Sequence, residues 1–328
     1  MKKEKTFIIG HKNPDTDSIC SAIAYADIKS RTSKGSFVAR RAGQINEETE
    51  FVLKYFHMDA PAYLPDVGTQ VKDMDIHMTP GAEKSMSVKR AWNLMREHNA
   101  VTLPITDKEG MLEGIITTGD IATSYMDAYD STLLSEARTQ YRSIADTLDG
   151  QVLVGNEHGY FIKGKVLVGS AHPDMMESYI ESDDMVILAN RAEDQLCAIE
   201  NNASCLIICL GAKVSQTIQR LAAERECVII TTPYDTFTVA RLIYQSIPVK
   251  YFMKKDNLIT FRSDDFTDKV KEVMTKNRYR AFPVVDKRGK YIGTVSRRNL
   301  LNIKKKKLIL VDHNEKSQAV DNIDEAEI

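Results

Sequence analysis

The sequence predicts an α/β protein: a parallel-sheet domain interrupted by two copies of a repeated unit, with a further α/β unit between the copies. Three observations predict this class. Apolar runs near both ends lead into metal-capable residues, a strand-and-turn segment recurs later in the chain, and apolar runs alternate with helical segments between the two copies. The 328 residues leave room for two or three compact domains.

The first apolar run leads into a cluster of potential metal ligands. Directly behind Phe7–Ile9 stands GHKNPDTDS, which contains His11, Asp15 and Asp17. A buried strand would place all three in the loop beyond its carboxyl end, where open α/β sheets bind ligands. Taken singly, such residues are usually turn residues and helix caps. A histidine with two carboxylates suits manganese, cobalt or zinc better than calcium, and the joint pattern favours a metal site.

A helix and a second cluster complete this prediction. Ile19–Lys29 is predicted to be helical, with Asp17 or Ser18 as its cap. Near the other end, the apolar run Leu308–Val311 leads into Asp312. If both strands end at one edge of a sheet, four ligands could bridge two ions about 3.5–4 Å apart, which activates water and holds phosphoryl oxygens.

The internal repeat is visible without any other sequence. Leu103–Gly110 recurs as Phe282–Gly289, and Gly114–Asp120 recurs as Gly293–Asn299, with no gap. Each copy is predicted to form helix, strand, Asp-Lys-x-Gly turn, strand and helix, because aspartate bonds its own backbone and glycine tolerates positive φ. Two copies cannot build a solenoid, so they indicate a paired module.

A third unit runs from about Leu133 to Pro248. Its alternation predicts a parallel sheet covered by helices. The predicted strands are Val152–Val154, Met185–Leu188, Leu206–Leu210 and Val228–Ile230, and the predicted helices are Pro173–Ile180, Ala192–Glu200, Ser215–Glu224 and Thr236–Ser246. We find no catalytic constellation in this unit. His158 and His172 are expected on the surface, and Cys205 and Cys209 in the core.

Composition narrows the functional classes. A net charge of −2 and a pI near 6.4 do not support general nucleic-acid binding. The run Lys304–Lys307 is interpreted as a solvated linker.

Five scattered cysteines fit reduced thiols better than a disulfide framework. No apolar stretch reaches the length of a membrane span, so we expect a soluble, cytoplasmic protein without a membrane partner.

The clusters at both ends carry a family resemblance. GHKNPDTDS, FVARRAG at 37–43, NEETEF at 46–51 and LVDHNE at 310–315 together resemble the family II, manganese-dependent inorganic pyrophosphatases of the DHH phosphoesterase superfamily. The resemblance implies that His11 and Asp15 hold one metal, Asp17 helps to hold the second and Asp312 bridges the two. It implies Mn2+ or Co2+ in this site, Mg2+ with the substrate, and attack of activated water on pyrophosphate.

One element of that family is missing. The Asp-His-His motif, which in the family follows the Asp-His-Asn element by a little over twenty residues, does not occur in the sequence and would fall beyond Ile328. We therefore expect a chain truncated within the catalytic domain and inactive on its own.

The repeated unit resembles a CBS-domain pair, a module that senses adenosine nucleotides. In that family the hydroxyl of the Gly-x-x-Ser/Thr-x-x-Asp/Asn element contacts phosphate, which implies Thr117 and Ser296. The last residue of the element contacts ribose, which implies Asp120 and Asn299. A purely structural alternative is that these residues cap the helices that follow, a role that is compatible with ligand contact.

Residues before the second copy add positive charge. Arg278 and Arg280 flank Tyr279. Arginine forks match phosphate oxygens, and the tyrosine ring could stack on adenine. The alternative is that all three are solvated surface residues.

The third unit resembles the DRTGG domain found between CBS domains in some pyrophosphatases. The predicted domains are a first part of the DHH catalytic domain at 1–67, CBS 1 at 68–130, the DRTGG domain at 131–247, CBS 2 at 248–306, and the catalytic domain resuming, incomplete, at 307–328. The resemblance implies a homodimer that hydrolyses pyrophosphate and whose adenine-nucleotide partners are AMP, ADP, ATP or larger. It implies inhibition by AMP or ADP and activation by larger adenine nucleotides. Two alternatives stay open: a non-catalytic adenine-nucleotide sensor, and another DHH phosphoesterase that acts on polyphosphate or oligonucleotides.

Overall fold

A computed structural model describes residues 5–64, 66–126, 130–303 and 306–311. The strands in these residues are β1 (Lys5–Ile9), β2 (Ser36–Arg41), β3 (Ala62–Tyr63), β4 (Thr102–Thr106), β5 (Leu112–Thr117), β6 (Thr139–Gln140), β7 (Gln151–Val154), β8 (Tyr160–Phe161), β9 (Val166–Val168), β10 (Met185–Leu188), β11 (Cys205–Ile208), β12 (Val228–Thr231), β13 (Phe261–Arg262), β14 (Ala281–Val285), β15 (Tyr291–Ser296) and β16 (Lys307–Leu310).

The α-helices in the same residues are α1 (Thr16–Thr32), α2 (Glu47–Tyr55), α3 (Val88–Glu97), α4 (Thr118–Met126), α5 (Leu133–Glu136), α6 (Tyr141–Thr147), α7 (Pro173–Met176), α8 (Ala192–Glu200), α9 (Gln216–Glu224), α10 (Thr236–Leu242) and α11 (Thr267–Lys276). Short 3-10 helices cover Val71–Asp73, Ile243–Ser246, Val249–Tyr251 and Arg297–Asn302. None of the described helices is both long enough and apolar enough to cross a membrane.

The chain divides into two compact units. The described residues of the first unit lie within 1–77, 260–287 and 294–328, and those of the second lie within 78–259 and 288–293. The boundaries of the five domains predicted from the sequence stay a prediction.

The first unit contains a parallel sheet built from both ends of the chain. Its order is β16-β1-β2-β3, and every neighbouring pair runs parallel. Ile8 is buried with Ala22 of α1, whereas Ile9 is buried with Leu308 of β16 on the other face. This alternation explains why a short apolar run forms the central strand. The parallel-sheet prediction is confirmed.

The two strands that precede the sequence clusters, β1 and β16, pair with each other. Ile9 lies opposite Leu310, and the amide of Val311 donates to the carbonyl of Ile9 at 2.8 Å. The described residues after 306 therefore form a paired strand up to Val311.

Helix α1 begins earlier than the sequence predicts. Asp15, not Asp17 or Ser18, is its N-cap, because the Asp15 side chain accepts the amide of Ser18 at 2.9 Å. Gly10 lets the strand end approach this helix start closely, since a Cβ there would lie 1.9 Å from Ser18 Oγ.

The two repeat copies share their local structure. Helix α3 precedes β4 and β5 in the first copy, and α11 precedes β14 and β15 in the second. Gly110 and Gly289 hold the equivalent turn position with φ of +85° and +86°, as the Asp-Lys-x-Gly pattern predicts. The copies differ after the last strand, where α4 follows β5 but a 3-10 helix follows β15. In that 3-10 helix Arg297 donates to the carbonyls of Met274 and Asn277, a contact that Thr118 at the equivalent position cannot make.

The second unit contains the sheet of the central α/β segment. Its order is β7-β12-β11-β10-β9, with β9 to β12 parallel, as predicted. Two features differ from the sequence-based expectation. Strand β7 runs antiparallel to β12, because it reaches the sheet from outside the repeating β–α pattern, and the three-residue β9 was not predicted because its apolar run is very short.

The strands of this sheet are buried on both faces. Met185 and Ile187 pack with Tyr141 and Val239, whereas Val186 packs in the cluster that α7, α8 and α9 contribute to. Helices α6 and α10 therefore cover one face, and α7, α8 and α9 cover the other. Cys205 and Cys209 are buried in this core, as predicted.

Candidate functional site

His11 and Asp15 lie together at the carboxyl end of β1. Their Nε2 and Oδ1 atoms are 3.4 Å apart. The hydrogen bond from the Ser18 amide, followed by the neighbouring His11, holds the pKa of the Asp15 carboxyl below its ordinary value. An imidazole nitrogen beside an ionised carboxylate is a suitable pair of donors for a divalent transition metal.

Asp17 lies elsewhere than the sequence predicts. It is in the first turn of α1 rather than in the loop, and its carboxylate accepts the hydroxyl of Ser21 at 3.3 Å. Within the described ranges, no group of three or more His, Cys, Asp or Glu residues could hold a metal ion. Asp312 lies outside the described residues. The structure thus brings His11 and Asp15 together, and the wider ligand set stays a prediction.

The first copy contains a polar half-site where β5 meets α4. The backbone amide of Thr117 donates a hydrogen bond to the Asp120 carboxylate at 2.8 Å, and the Thr117 hydroxyl donates to the same carboxylate at 2.7 Å. The Asp120 backbone amide donates in turn to the Thr117 hydroxyl. The predicted capping role of this pair is therefore present. Lys254 Nζ lies 3.2 Å from the other oxygen of Asp120. Sequence reasoning missed Lys254, because nothing in its local pattern connects it with a residue so distant in the chain.

The second copy repeats this arrangement with neutral groups. The amide and hydroxyl of Ser296 lie 2.7 and 2.8 Å from the side-chain oxygen of Asn299. The Asn299 amide group donates to the carbonyl of Asp75 at 2.6 Å. Each copy therefore holds its hydroxyl residue and its last residue in one hydrogen-bonded pair.

The basic segment before β14 is accessible. Arg278 and Arg280 are exposed, and Tyr279 is half-buried with its ring 6.1 Å from that of Phe282 at an interplanar angle of 88°. Such edge-to-face packing orients an aromatic ring. The exposure suits both a phosphate-binding role and a solvated surface, so the binding role stays a prediction.

His158 and His172 do not form a further site. Both are exposed, and each lies 3.4 Å from a neighbouring carboxylate, that of Glu157 and that of Asp174. The expectation of surface histidines is confirmed.

Comparison with protein families identifies the modules of the chain. The CBS domain matches residues 74–127 and 249–306, and the DRTGG domain matches residues 143–246. The fold and these matches define the class of protein. Along the sequence the DRTGG domain lies between two CBS domains, and a parallel sheet is built from segments near both ends of the chain.

Similar proteins narrow this class further. The cobalt-dependent inorganic pyrophosphatase of Clostridium perfringens is 39% identical over 326 residues, which are 99% of this chain and 59% of that protein. A probable manganese-dependent inorganic pyrophosphatase of Thermotoga maritima is 32% identical over 326 residues, with the same shares. The crystal structure of the CBS and DRTGG domains of the regulatory region of the Clostridium perfringens pyrophosphatase, complexed with the activator diadenosine tetraphosphate, is 36% identical, with a TM-score of 0.66, and covers 70% of this chain and 99% of its own.

The chain belongs to the pyrophosphatases whose regulatory region contains CBS and DRTGG domains. It spans 59% of the length of the two curated relatives.

Proposed function

We propose that the chain carries part of a dinuclear metal site that hydrolyses inorganic pyrophosphate to two phosphates, and that adenine nucleotides bound to its CBS pair regulate this reaction. The observation that carries the proposal is the 39% identity to a cobalt-dependent inorganic pyrophosphatase along 99% of this chain. The parallel pairing of β1 with β16 supports it, since the two sequence clusters follow neighbouring strands of one sheet.

In this proposal His11 and Asp15 would hold one manganese or cobalt ion, Asp17 would help to hold the second, and Asp312 would be a ligand shared by both. Bound ions of this kind activate water and neutralise the charge of phosphoryl oxygens, and Mg2+ would accompany the pyrophosphate. The Asp15 carboxylate is fixed by the amide of Ser18, so one ligand oxygen is oriented before any ion binds.

The CBS copies are proposed as the nucleotide sites. The hydroxyls of Thr117 and Ser296 would contact phosphate, and Asp120 and Asn299 would contact ribose. Arg278 and Arg280 would bind the phosphates, and the Tyr279 ring would stack on the base. The nucleotide that favours one catalytic state must bind that state more tightly, and the coupling is reciprocal. Inhibition by AMP or ADP and activation by larger adenine nucleotides, in a cytoplasmic homodimer, are parts of the same proposal.

The test compares Asp15→Asn with wild type in the protein as its gene encodes it. Phosphate release from pyrophosphate is measured with manganese or cobalt. Asparagine is as good an N-cap as aspartate, so the helix start is preserved while the anionic ligand is lost. Because changing even a residue that only orients a ligand costs about 10–100-fold, we expect activity to fall by at least about 100-fold.

His158→Gln is the matched control for a parallel His11→Gln variant, because His158 is exposed and lies in the other unit. Activity on polyphosphate or oligonucleotides without activity on pyrophosphate would favour the other DHH phosphoesterases. Nucleotide binding without any hydrolysis would favour the non-catalytic sensor.

A further inference from the structure

The second unit contains a cavity whose lining includes no residue of either proposed site. Its volume is about 560 Å3. Its lining comes from the start of β7 and the loop before it, the end of β12 and the loop after it, the loop that follows β11, and Gln219 of α9. Cavities of roughly 300–1,000 Å3 are those in which proteins hold small molecules. The space is therefore large enough for a metabolite of nucleotide size.

The position of the cavity follows from the topology of the sheet. After β11 the chain enters α9, whose Ile218 packs on the face formed by Leu206 and Ile208. After β12 it enters α10, whose Val239 packs on the opposite face. Neighbouring parallel strands whose connections leave to opposite faces open a crevice at their carboxyl ends, and open α/β sheets bind ligands there. The cavity lies at this switch point.

The charge of the lining favours an anion. Lys213 lies at the cavity, and its ammonium group forms no ion pair with any of the described residues. The lining also contains the negatively charged Asp149, but its carboxylate is already paired. It accepts hydrogen bonds from Lys89 Nζ, at 3.3 Å, and from the hydroxyl of Tyr234. The first turn of α9 contains no acidic residue, so the start of this helix adds no negative charge near the cavity.

Apolar side chains complete the lining. Leu153, Val214 and Pro233 lie beside the polar groups. A ligand that fits both parts has one anionic group and an apolar or ring-shaped body. The loop between β11 and α9 is held in place, since the amides of Leu210 and Gly211 donate to the carbonyls of Tyr234 and Thr232, each at 2.8 Å. The site is thus formed without rearrangement of this loop.

We propose that this cavity of the DRTGG domain binds a small phosphorylated metabolite, with the phosphate against Lys213 and the body of the ligand against Leu153 and Val214. It would be a second ligand site, separate from the CBS copies.

The experiment follows hydrogen exchange of the whole protein while inorganic phosphate is added at constant ionic strength. We expect slower exchange in residues 150–153 and 211–219. Lys213→Ala should raise the phosphate concentration that gives half of this protection about tenfold, because a hydrogen bond to a charged group is lost. Arg220→Gln is the control: it removes a positive charge from the same helix, and Arg220 is exposed and 3.8 Å from Glu224. Its phosphate response should match that of wild type.

Three outcomes would overturn the proposal: no protection of these two segments, protection only around residues 10–18 or in the CBS copies, or protection that Lys213→Ala leaves unchanged. Lys213→Arg should keep the phosphate response. It separates loss of charge from damage to the fold, so a response lost in that variant as well would count against the proposed role of Lys213.

Discussion

Gly10→Ala tests whether the end of β1 and the start of α1 depend on their close approach. The new Cβ would lie 1.9 Å from Ser18 Oγ, 3.0 Å from Ser18 Cβ and 3.2 Å from the Ser18 carbonyl. Overpacking of this kind costs about 1–3 kcal/mol. The loss of a glycine's freedom in the unfolded chain returns about 0.4–1 kcal/mol. We therefore expect a net loss of roughly 1–2 kcal/mol in local stability.

Ser18→Ala should relieve most of this cost. The buried Ser18 hydroxyl has no hydrogen-bond partner in the described part of the chain. Removing it alone should change stability by less than about 0.5 kcal/mol, as for changes that break no interaction. In the double variant the closest contact disappears, while the 3.0 Å contact with the Cβ of residue 18 and the 3.2 Å contact with its carbonyl remain. Recovery should be large but incomplete, with a coupling energy of at least about 1 kcal/mol.

Hydrogen exchange of the β1 and α1 amides is the suitable assay, because a chain of several domains does not unfold in two states. A loss of 1.4 kcal/mol corresponds to about tenfold faster exchange. Gly119→Ala is the control, since its Cβ would meet only Thr117 Oγ1, at 3.5 Å. The reasoning is refuted if Gly10→Ala exchanges like wild type, or if Ser18→Ala does not slow the exchange of the double variant.

Two further predictions concern the nucleotide sites and the thiols. Replacing both Arg278 and Arg280 by alanine should weaken AMP binding in calorimetric titration by about 1.5–3 kcal/mol for each hydrogen bond to phosphate that the change removes, and an unchanged affinity would remove both residues from the site. Burial raises the pKa of the Cys209 and Cys227 thiols to about 12, so neither should react with iodoacetamide at pH 8 until the protein unfolds. The half-buried Cys20 and Cys197 should react before them, and mass spectrometry of the modified peptides distinguishes the order.

Most of the architecture was predictable from local patterns. The repeat showed two equivalent turns, and Gly110 and Gly289 adopt the same positive φ. The apolar runs of the central unit became strands at nearly the predicted residues, because a strand buried on both faces needs a continuous apolar run. The run Phe7–Ile9 likewise became the centre of the parallel sheet.

The features that the sequence did not predict depend on the direction of a strand, on contacts between residues distant in sequence, or on the choice between two possible capping residues. Periodicity does not show the direction of a strand, so the antiparallel β7 was not expected. Two aspartates near the start of α1 could both cap it, and only the backbone decides that Asp15 accepts the Ser18 amide. Lys254 meets Asp120 through tertiary contacts, for which a single sequence contains no signal.

The two CBS copies differ in charge more than in geometry. In each, an amide and a hydroxyl hold the oxygen of the last residue, so that residue is oriented before a ligand arrives. Orientation in advance lowers the entropy cost of binding in both copies. Asp120, however, also lies 3.2 Å from Lys254 Nζ, whereas Asn299 donates to the carbonyl of Asp75. A ligand that displaces Lys254 from Asp120 must offset the free energy of the ion pair that it breaks. A ligand that leaves Lys254 in place gains a positive charge beside its phosphates. Lys254→Met would separate these cases, because it raises nucleotide affinity in the first and lowers it in the second.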